Sequence, residues 1–204
     1  MVQKKVPSPR LKSKHPTTAR ADAIALLKKQ HVEVAQLFKR LERASGRSAQ
    51  AKLFEKLASM LVGHDAIERE IFYPACEKAM GRTDLLSEAL VEHGVVEFSL
   101  YQADEARMAD DFSAKCQVLS EIVAHHVKEE QDDFFPKVEK AIDKKQLQRL
   151  GAQMRARFEK AMTEDFRAPL RRNLGQVLTG TLKPAPGKPT IRLKDSKPKR
   201  RNAA

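Results

Sequence analysis

"HVKEEQDDFFP" (residues 126–136) and "HDAIEREIFYP" (residues 64–74) follow the same pattern, and this pattern indicates the fold of the chain. In each stretch a Glu follows the His by four residues, and two aromatic residues precede a Pro at the tenth position after the His. Residues i and i+4 lie on one face of an α-helix, so each stretch places a His and a Glu side by side. The repeated pattern therefore predicts two equivalent helices that face a common point.

Apolar residues recur with three- and four-residue spacing along most of the chain, which is typical of amphipathic helices. Gly is scarce at eight residues, and Ala, Leu, Lys, Glu, Gln and Arg are frequent, as in helix-rich proteins. We expect four long helices, a fifth helix and a short last one, at 21–43, 49–79, 85–109, 113–142, 144–164 and 165–179. Short loops between long amphipathic helices predict an all-α, up-down-up-down four-helix bundle with an extra helix on the C-terminal side.

In each long helix, the apolar residues at three- and four-residue spacing form a ladder along one face. Polar residues interrupt this apolar ladder near the middle of the helix. In the first helix, for example, Ile24, Leu27 and Val34 share their ladder with a His. Each of the four helices directs a His to the interior, and three of them add a Glu four residues later. The seven inward residues are His31, His64, Glu68, His93, Glu97, His126 and Glu130.

A cluster of buried carboxylates requires a compensating charge. An unpaired buried carboxylate costs several kcal/mol, and three close together raise each other's pKa values. Two cations would compensate the Glu residues and use the neutral imidazoles as further ligands. Imidazoles and carboxylates without a thiolate favour iron, with manganese or zinc as competitors. We therefore predict that the seven residues bind two metal ions, although a lone inward His or a lone His–Glu pair would more often be structural.

Several nearby residues are weaker candidates because they lie off the apolar ladders. His125, Glu129, Glu70 and Glu92 are expected on the exposed flanks of their helices. The spacing to the Pro and the ladder both select His126 and Glu130 over the adjacent His and Glu. Tyr73 and its aromatic neighbours are expected to pack at the end of the bundle, where the Tyr hydroxyl can hydrogen-bond near the site.

The net charge of +12 resides in the two ends of the chain. Residues 1–20 carry +6 and residues 181–204 carry +7, so the intervening part is nearly neutral at −1. These segments are rich in Lys and Pro and are predicted to be disordered tails. We place the bundle with its fifth helix at 21–165, and the short helix with the second tail at 166–204. Two Cys without metal or redox spacing suggest a reducing cytoplasm, and no apolar run is long enough for a membrane span.

The chain resembles the hemerythrin-like family, also called HHE cation-binding domains, over about residues 22–160. The motifs that carry the resemblance are "AIALLKKQHVEVAQLF", "HDAIEREIFYP", "VEHGVVEFSL" and "HHVKEEQDDFFP". The family implies an oxo- or hydroxo-bridged, non-haem di-iron centre inside a four-helix bundle. By this resemblance Glu68 and Glu130 are the bridging carboxylates. His31 and His64 bind the iron with an open position for O2, while His93 and His126 bind the other iron.

The sequence departs from the oxygen-carrying members of the family at one position. Those proteins have a fifth His where this chain has Glu97. A carboxylate is a harder ligand than imidazole and stabilises Fe(III) over Fe(II), which argues against reversible oxygen transport.

We therefore expect a protein that binds O2 or NO in oxygen, redox or iron sensing or handling, and we favour a binding role over catalysis. A di-iron enzyme acting on peroxide, NO or Fe(II) is the alternative. A third hypothesis is weak nucleic-acid contact through the basic tails.

Overall fold

The computed structural model describes residues 21–179, and the basic segments at 1–20 and 181–204 lie outside the described residues. The described part is helical and contains no β-strand. None of its helices is long and apolar enough to cross a membrane. The helices are α1 (Ala23–Arg43), α2 (Arg47–Ile67), α3 (Tyr73–Met80), α4 (Asp84–Glu105), α5 (Phe112–Glu129), α6 (Phe135–Ala141), α7 (Lys144–Ala161) and α8 (Arg167–Leu178).

Two π-helical turns join α2 to α3 and α5 to α6, so that each pair forms one continuous helix. The turns are Glu68–Phe72 and Glu130–Phe134, and each begins at the Glu of the repeated pattern. In each turn the backbone N–H that follows donates to the carbonyl of this Glu, five residues earlier. The Pro of the pattern then lies in the first turn of the next α-helical segment, where its missing N–H is tolerated. The sequence suggests a bend or local end at this Pro, whereas the helix continues because a π turn precedes it.

The four long helices form the predicted bundle. Helix α1 packs against α2 and α5, α4 packs against α5, and α2 also contacts α4. The turns between consecutive long helices are short, and Thr83 caps α4 by accepting a hydrogen bond from Leu86 N–H at 3.2 Å. The all-α bundle with an extra helix is therefore confirmed. The extra helix α7 lies against α1 and α2.

Gly151 allows α7 to approach the start of α1 closely. A Cβ atom at this position would lie 2.7 Å from the carbonyl carbon of Asp22 and 2.8 Å from the backbone N of Ala23. These atoms belong to the backbone and cannot move aside like a flexible side chain. A residue without a side chain is therefore needed where the two helices meet.

Helix α8 also packs on the bundle, although the sequence places a domain boundary after residue 165. Phe166, Leu170 and Leu174 are buried in the same apolar cluster as residues of the four long helices. Arg167 in the first turn of α8 donates to Glu55 at 2.6 Å and to Asp104 at 3.0 Å. These contacts attach α8 to the outer side of α4.

The apolar core is divided into two clusters, with a polar layer between them. One cluster contains Val34, Leu61 and Val123, and the other contains Leu27 and Ile67. Along each long helix the inward His lies where the ladder passes from one cluster to the other. The polar layer is therefore screened from water by apolar side chains on both sides, which strengthens electrostatic interactions within it.

Candidate metal centre

Six of the seven predicted ligands converge at the centre of the bundle. Their donor atoms form two groups that share Glu68, and within each group all donor atoms lie within 4.8 Å of one another. The first group contains His31, His64, Glu68 and Glu130, and the second contains Glu68, His93 and His126. All six side chains are buried.

The first group joins α1, α2 and the two π turns. The Nε2 atoms of His31 and His64 are 3.2 Å apart. Glu68 Oε2 lies 3.2 Å from His64 Nε2, and Glu130 Oε2 lies 3.3 Å from His31 Nε2. Two imidazole nitrogens and two carboxylate oxygens thus surround one point.

The second group joins α4 and α5 through the same carboxylates. The Nε2 atoms of His93 and His126 are 3.1 Å apart. Glu68 Oε2 lies 3.3 Å from His93 Nε2, and Glu130 Oε2 lies 3.7 Å from His126 Nε2. Each Glu therefore faces one His of each pair, as expected of carboxylates that bridge two ions.

The chemistry of this donor set fits two cations. Both carboxylate oxygens of Glu68 and the Oε2 atom of Glu130 are buried without a hydrogen-bond donor. Buried polar atoms are rarely left without a partner, because their desolvation is not repaid. Cations placed between the imidazole nitrogens and these oxygens would satisfy all of them.

The pKa shifts show how strongly the site favours positive charge. Burial alone would raise the pKa of Glu68, but the neighbouring His64 and His93 hold it well below its usual value. Burial opposes a charge on His93, yet its hydrogen bond with Asp65 and the nearby Glu68 raise the pKa of His93 to about 10. In the absence of metal, a proton on the His93 imidazole therefore compensates part of the charge of the buried carboxylates.

In each of the four inward His residues, the Nδ1 atom points away from the centre and contacts a residue of a neighbouring helix. The apolar ladders do not predict these contacts. Such contacts fix the tautomer and leave Nε2 free for a metal ion. The side-chain amide of Gln131 is oriented with its own Nε2 atom towards His31 Nδ1. Turning this amide by 180° directs its Oε1 atom to His31 instead, where it can accept a hydrogen bond. The four contacts are His64 Nδ1 to Gln30 Oε1 (2.8 Å), His93 Nδ1 to Asp65 Oδ1 (2.6 Å), His126 Nδ1 to Glu92 Oε2 (2.8 Å) and His31 Nδ1 to Gln131 Nε2 (3.2 Å).

These supporting residues form a closed ring around the bundle. A residue of α1 holds the His of α2, a residue of α2 holds that of α4, a residue of α4 holds that of α5, and the π turn after α5 holds that of α1. Each supporting residue is also adjacent in sequence to one of the six converging residues. A polar residue next to four of the six converging residues was therefore the signal in the sequence. Its partner across the bundle could be identified only from the structure.

Tyr73 lies closer to the centre than its place at the bundle end suggests. Its hydroxyl is 3.0 Å from His93 Nε2 and donates to Glu130 Oε1 at 3.1 Å. The ring is buried and packs edge-on against Phe134. The sequence-based expectation that Tyr73 hydrogen-bonds near the site is confirmed, and its oxygen is a further polar atom beside the second group.

The structure does not bring Glu97 into either donor group. Its Oε1 atom accepts hydrogen bonds from Arg69 Nη2 and from Asn173 Nδ2, both at 2.6 Å. Its Oε2 atom is buried without a partner, and burial raises the pKa of Glu97 to about 7. Glu97 thus points inward as predicted, but Arg69 and α8 hold it beside the centre.

An apolar cavity of about 40 Å³ lies against the four His residues. A water molecule requires about 10–15 Å³ by the same kind of measure, so the cavity has room for a very small molecule. Glu97 and Asp65 are the acidic residues along its wall. The remaining lining is apolar and comes from Val34, Leu61, Val62, Val96, Leu100, Val123 and Val127.

The off-ladder residues lie outside the two donor groups. The side chain of His125 is 65% exposed, whereas that of His126 is 6% exposed. Glu70 pairs with Arg157 on the surface, and Glu92 supports His126 instead of entering the centre. The choice of His126 and Glu130 as the inward pair of this helix therefore agrees with their burial.

Comparisons with known proteins agree with a helical cation-binding domain. No curated protein matches the chain. The crystal structure of a hemerythrin HHE cation binding domain-containing protein from Mycobacterium kansasii is similar, with a TM-score of 0.65 and 26% sequence identity. The match covers 76% of this chain and 99% of that one. A family model, the hemerythrin HHE cation binding domain, matches residues 22–138, which is more than half of the chain. The chain therefore belongs to the hemerythrin HHE cation-binding domain family.

Proposed function

We propose that this chain is a non-haem di-iron protein that binds O2 or NO. Its role would lie in sensing or handling oxygen, redox state or iron, and not in oxygen transport. The observation that carries the proposal is the small apolar cavity that ends on the four inward imidazoles. A diatomic molecule is apolar and small enough for this space, and the cavity lies directly beside the donor groups.

Two iron ions would be held by the six converging residues. His31 and His64 would bind one ion, His93 and His126 the other, and Glu68 and Glu130 would bridge them. Manganese or zinc can occupy the same set of imidazoles and carboxylates. When bound, iron supplies an open coordination position and reversible one-electron chemistry.

The protein residues around the ions control what reaches them. The valine and leucine side chains of the cavity give the ions apolar surroundings and leave room for a small molecule beside them. The ring of supporting residues holds each imidazole with Nε2 directed inward, so the ligands need little reorganisation when an ion binds. These features suit a protein that binds a small ligand rather than one that accommodates a large substrate.

The surroundings of Glu97 argue against oxygen transport. The carboxylate occupies the position of the fifth His in oxygen carriers, and it is tied to Arg69 and Asn173. With a pKa of about 7, Glu97 is partly ionised at neutral pH, and in its charged form it favours the ferric state of the neighbouring ions, which does not bind O2 reversibly. Oxidation of the centre would then persist and can serve as a signal.

A second candidate function is enzymatic turnover of peroxide, NO or Fe(II). Two observations favour it. The Tyr73 hydroxyl lies within hydrogen-bonding distance of both His93 and Glu130, and Glu97, with its pKa raised to about 7, lines the ligand cavity. Both groups can carry a proton at neutral pH beside the reacting ligand. Steady-state assays with all three substrates distinguish this function from simple binding.

Metal analysis tests the proposal most directly. After anaerobic loading with Fe(II) and removal of excess metal, we expect two irons per chain and, after exposure to air, an absorption band that reductant bleaches. His64→Ala and His126→Ala should each lose metal, whereas the exposed His125→Ala should retain two irons. Fewer than one iron per chain in the unmodified protein would refute the proposal.

A further inference from the structure

A third cluster of potential ligands lies on the surface between α4 and α5. His125 Nε2 is 3.3 Å from Glu129 Oε1 and 3.5 Å from Glu92 Oε1. The side chains of His125, Glu129 and Glu92 are 65%, 39% and 20% exposed, so the cluster is open to solvent. The backbone of two packed helices positions these residues, because His125 and Glu129 are one turn apart on α5 and Glu92 comes from α4.

The separations from the His125 imidazole nitrogen to the two carboxylate oxygens match those of a metal site. Bonds of about 2.1 Å at tetrahedral angles place neighbouring ligand atoms about 3.4 Å apart. The observed separations from the imidazole nitrogen to the two oxygens, 3.3 and 3.5 Å, lie on either side of this value. One imidazole and two carboxylates from different residues also leave coordination positions for water.

Glu92 connects this surface cluster to the buried centre. Its Oε1 atom faces His125, while its Oε2 atom accepts a hydrogen bond from His126 Nδ1 at 2.8 Å. The same carboxylate therefore contacts an exposed His on one side and a buried, inward-facing His on the other. A cation bound to Oε1 would withdraw charge from Oε2 and weaken its hydrogen bond to the imidazole.

We propose that Glu92, His125 and Glu129 form an auxiliary site for a divalent first-row cation, and that its occupancy is coupled through Glu92 to the ion held by His93 and His126. The coupling rests on the proposed dinuclear centre, whereas the auxiliary site itself does not. The occupancy of the exposed site depends on the metal concentration in solution. The shared carboxylate of Glu92 transmits this occupancy to the buried centre. Binding at either site should weaken binding at the other, since such coupling is reciprocal.

Calorimetric titration of the oxidised, iron-loaded protein with Zn(II) tests the auxiliary site. We expect one equivalent of Zn(II) beyond the two irons, and its loss in His125→Ala. Glu121→Gln is the matched control, because Glu121 is an exposed carboxylate on the same helix that pairs with Gln117. Absence of the extra equivalent, or its survival in His125→Ala, would overturn the site. His125 is exposed, so its replacement should leave the fold intact.

The coupling is tested by the absorption spectrum and the iron release of the same samples. Saturation with Zn(II) should shift the absorption of the oxidised centre and accelerate release of one iron to a ferric-selective chelator about tenfold. Neither effect should occur in His125→Ala. Bound Zn(II) without either effect would refute the coupling.

The auxiliary site can also be tested without the dinuclear centre. If the protein binds no iron, the proposed function fails. The auxiliary site then still predicts one more equivalent of Zn(II) in His64→Ala than in the His64→Ala/His125→Ala double variant.

Discussion

Replacing Asp65 by Asn should selectively weaken the binding of one of the two metal ions, the ion that His93 binds. The Asp65 carboxylate accepts from His93 Nδ1 at 2.6 Å and from Arg69 Nε at 2.8 Å. Asn keeps an oxygen in nearly the same place but carries no charge. The change therefore tests the electrostatic support of His93 while keeping the size of the side chain.

The expected magnitude follows from the hydrogen bond that loses its charge. A hydrogen bond to a charged group contributes about 1.5–3 kcal/mol, and a neutral one about 0.5–1.5 kcal/mol. The difference of about 1–1.5 kcal/mol corresponds to a roughly tenfold loss of affinity. This value lies at the lower end of the 10- to 100-fold effect that is typical of residues supporting a metal ligand.

Competition with a coloured chelator measures this loss. Two binding steps should be resolved in the unmodified protein, and Asp65→Asn should weaken only one of them. Gln30→Leu should weaken the other step, because Gln30 supports His64. Glu70→Gln is the control, since that carboxylate pairs with Arg157 on the surface and should change neither step.

Two outcomes would contradict this reasoning. Equal weakening of both steps by Asp65→Asn would mean that Asp65 acts on the whole bundle. Unchanged affinity would mean that its contact with His93 does not support a ligand. Urea unfolding of the metal-free variant separates a general loss of stability from a local effect.

Three further predictions concern other residues. Tyr73→Phe removes the hydroxyl near His93 and Glu130, so it should change the absorption spectrum of the oxidised protein while two irons remain bound; an identical spectrum would exclude this hydroxyl from the centre. Gly151→Ala places a methyl group against the backbone of α1 and should lower the free energy of unfolding by about 1–3 kcal/mol, measured by urea denaturation. Gly175→Ala, with no atom within 4 Å, should be neutral or stabilising. The pKa of His93 is raised to about 10, so at pH 7 its imidazole is charged in the metal-free protein and must lose a proton to bind an ion. Metal affinity should therefore rise about tenfold per pH unit for each proton released below pH 10, and calorimetry in buffers of different ionisation enthalpy should detect that release.

The helical fold could be predicted from sequence because helix geometry is local. A period of 3.6 residues places apolar side chains on one face, and a His or Glu at a ladder position must face the same way as its apolar neighbours. The inward direction of His31, Glu68 and His126 follows from this rule alone. The exact ends of the helices, the two π turns and the packing of α8 on the bundle differ from the expectation.

The identity of the partners across the bundle could not be predicted in this way. The ring from Gln30 to Gln131 joins residues on different helices, and it depends on how those helices are rotated against one another. Periodicity within one helix contains no information about this rotation. A polar residue adjacent to a ligand therefore looks like an exposed flank until the neighbouring helix is in place.

Glu97 is a residue whose burial could be predicted from the sequence but whose hydrogen-bond partners could not. Its ladder position correctly places the carboxylate inside the bundle, one turn after His93. Its actual partners are Arg69 from the π turn and Asn173 from α8, 28 and 76 residues away. The sequence by itself determined that a carboxylate would be buried here. Tertiary packing decided that Arg69 compensates its charge and that Asn173 donates a further hydrogen bond, because these donors reach it only when the π turn after α2, α4 and α8 are assembled.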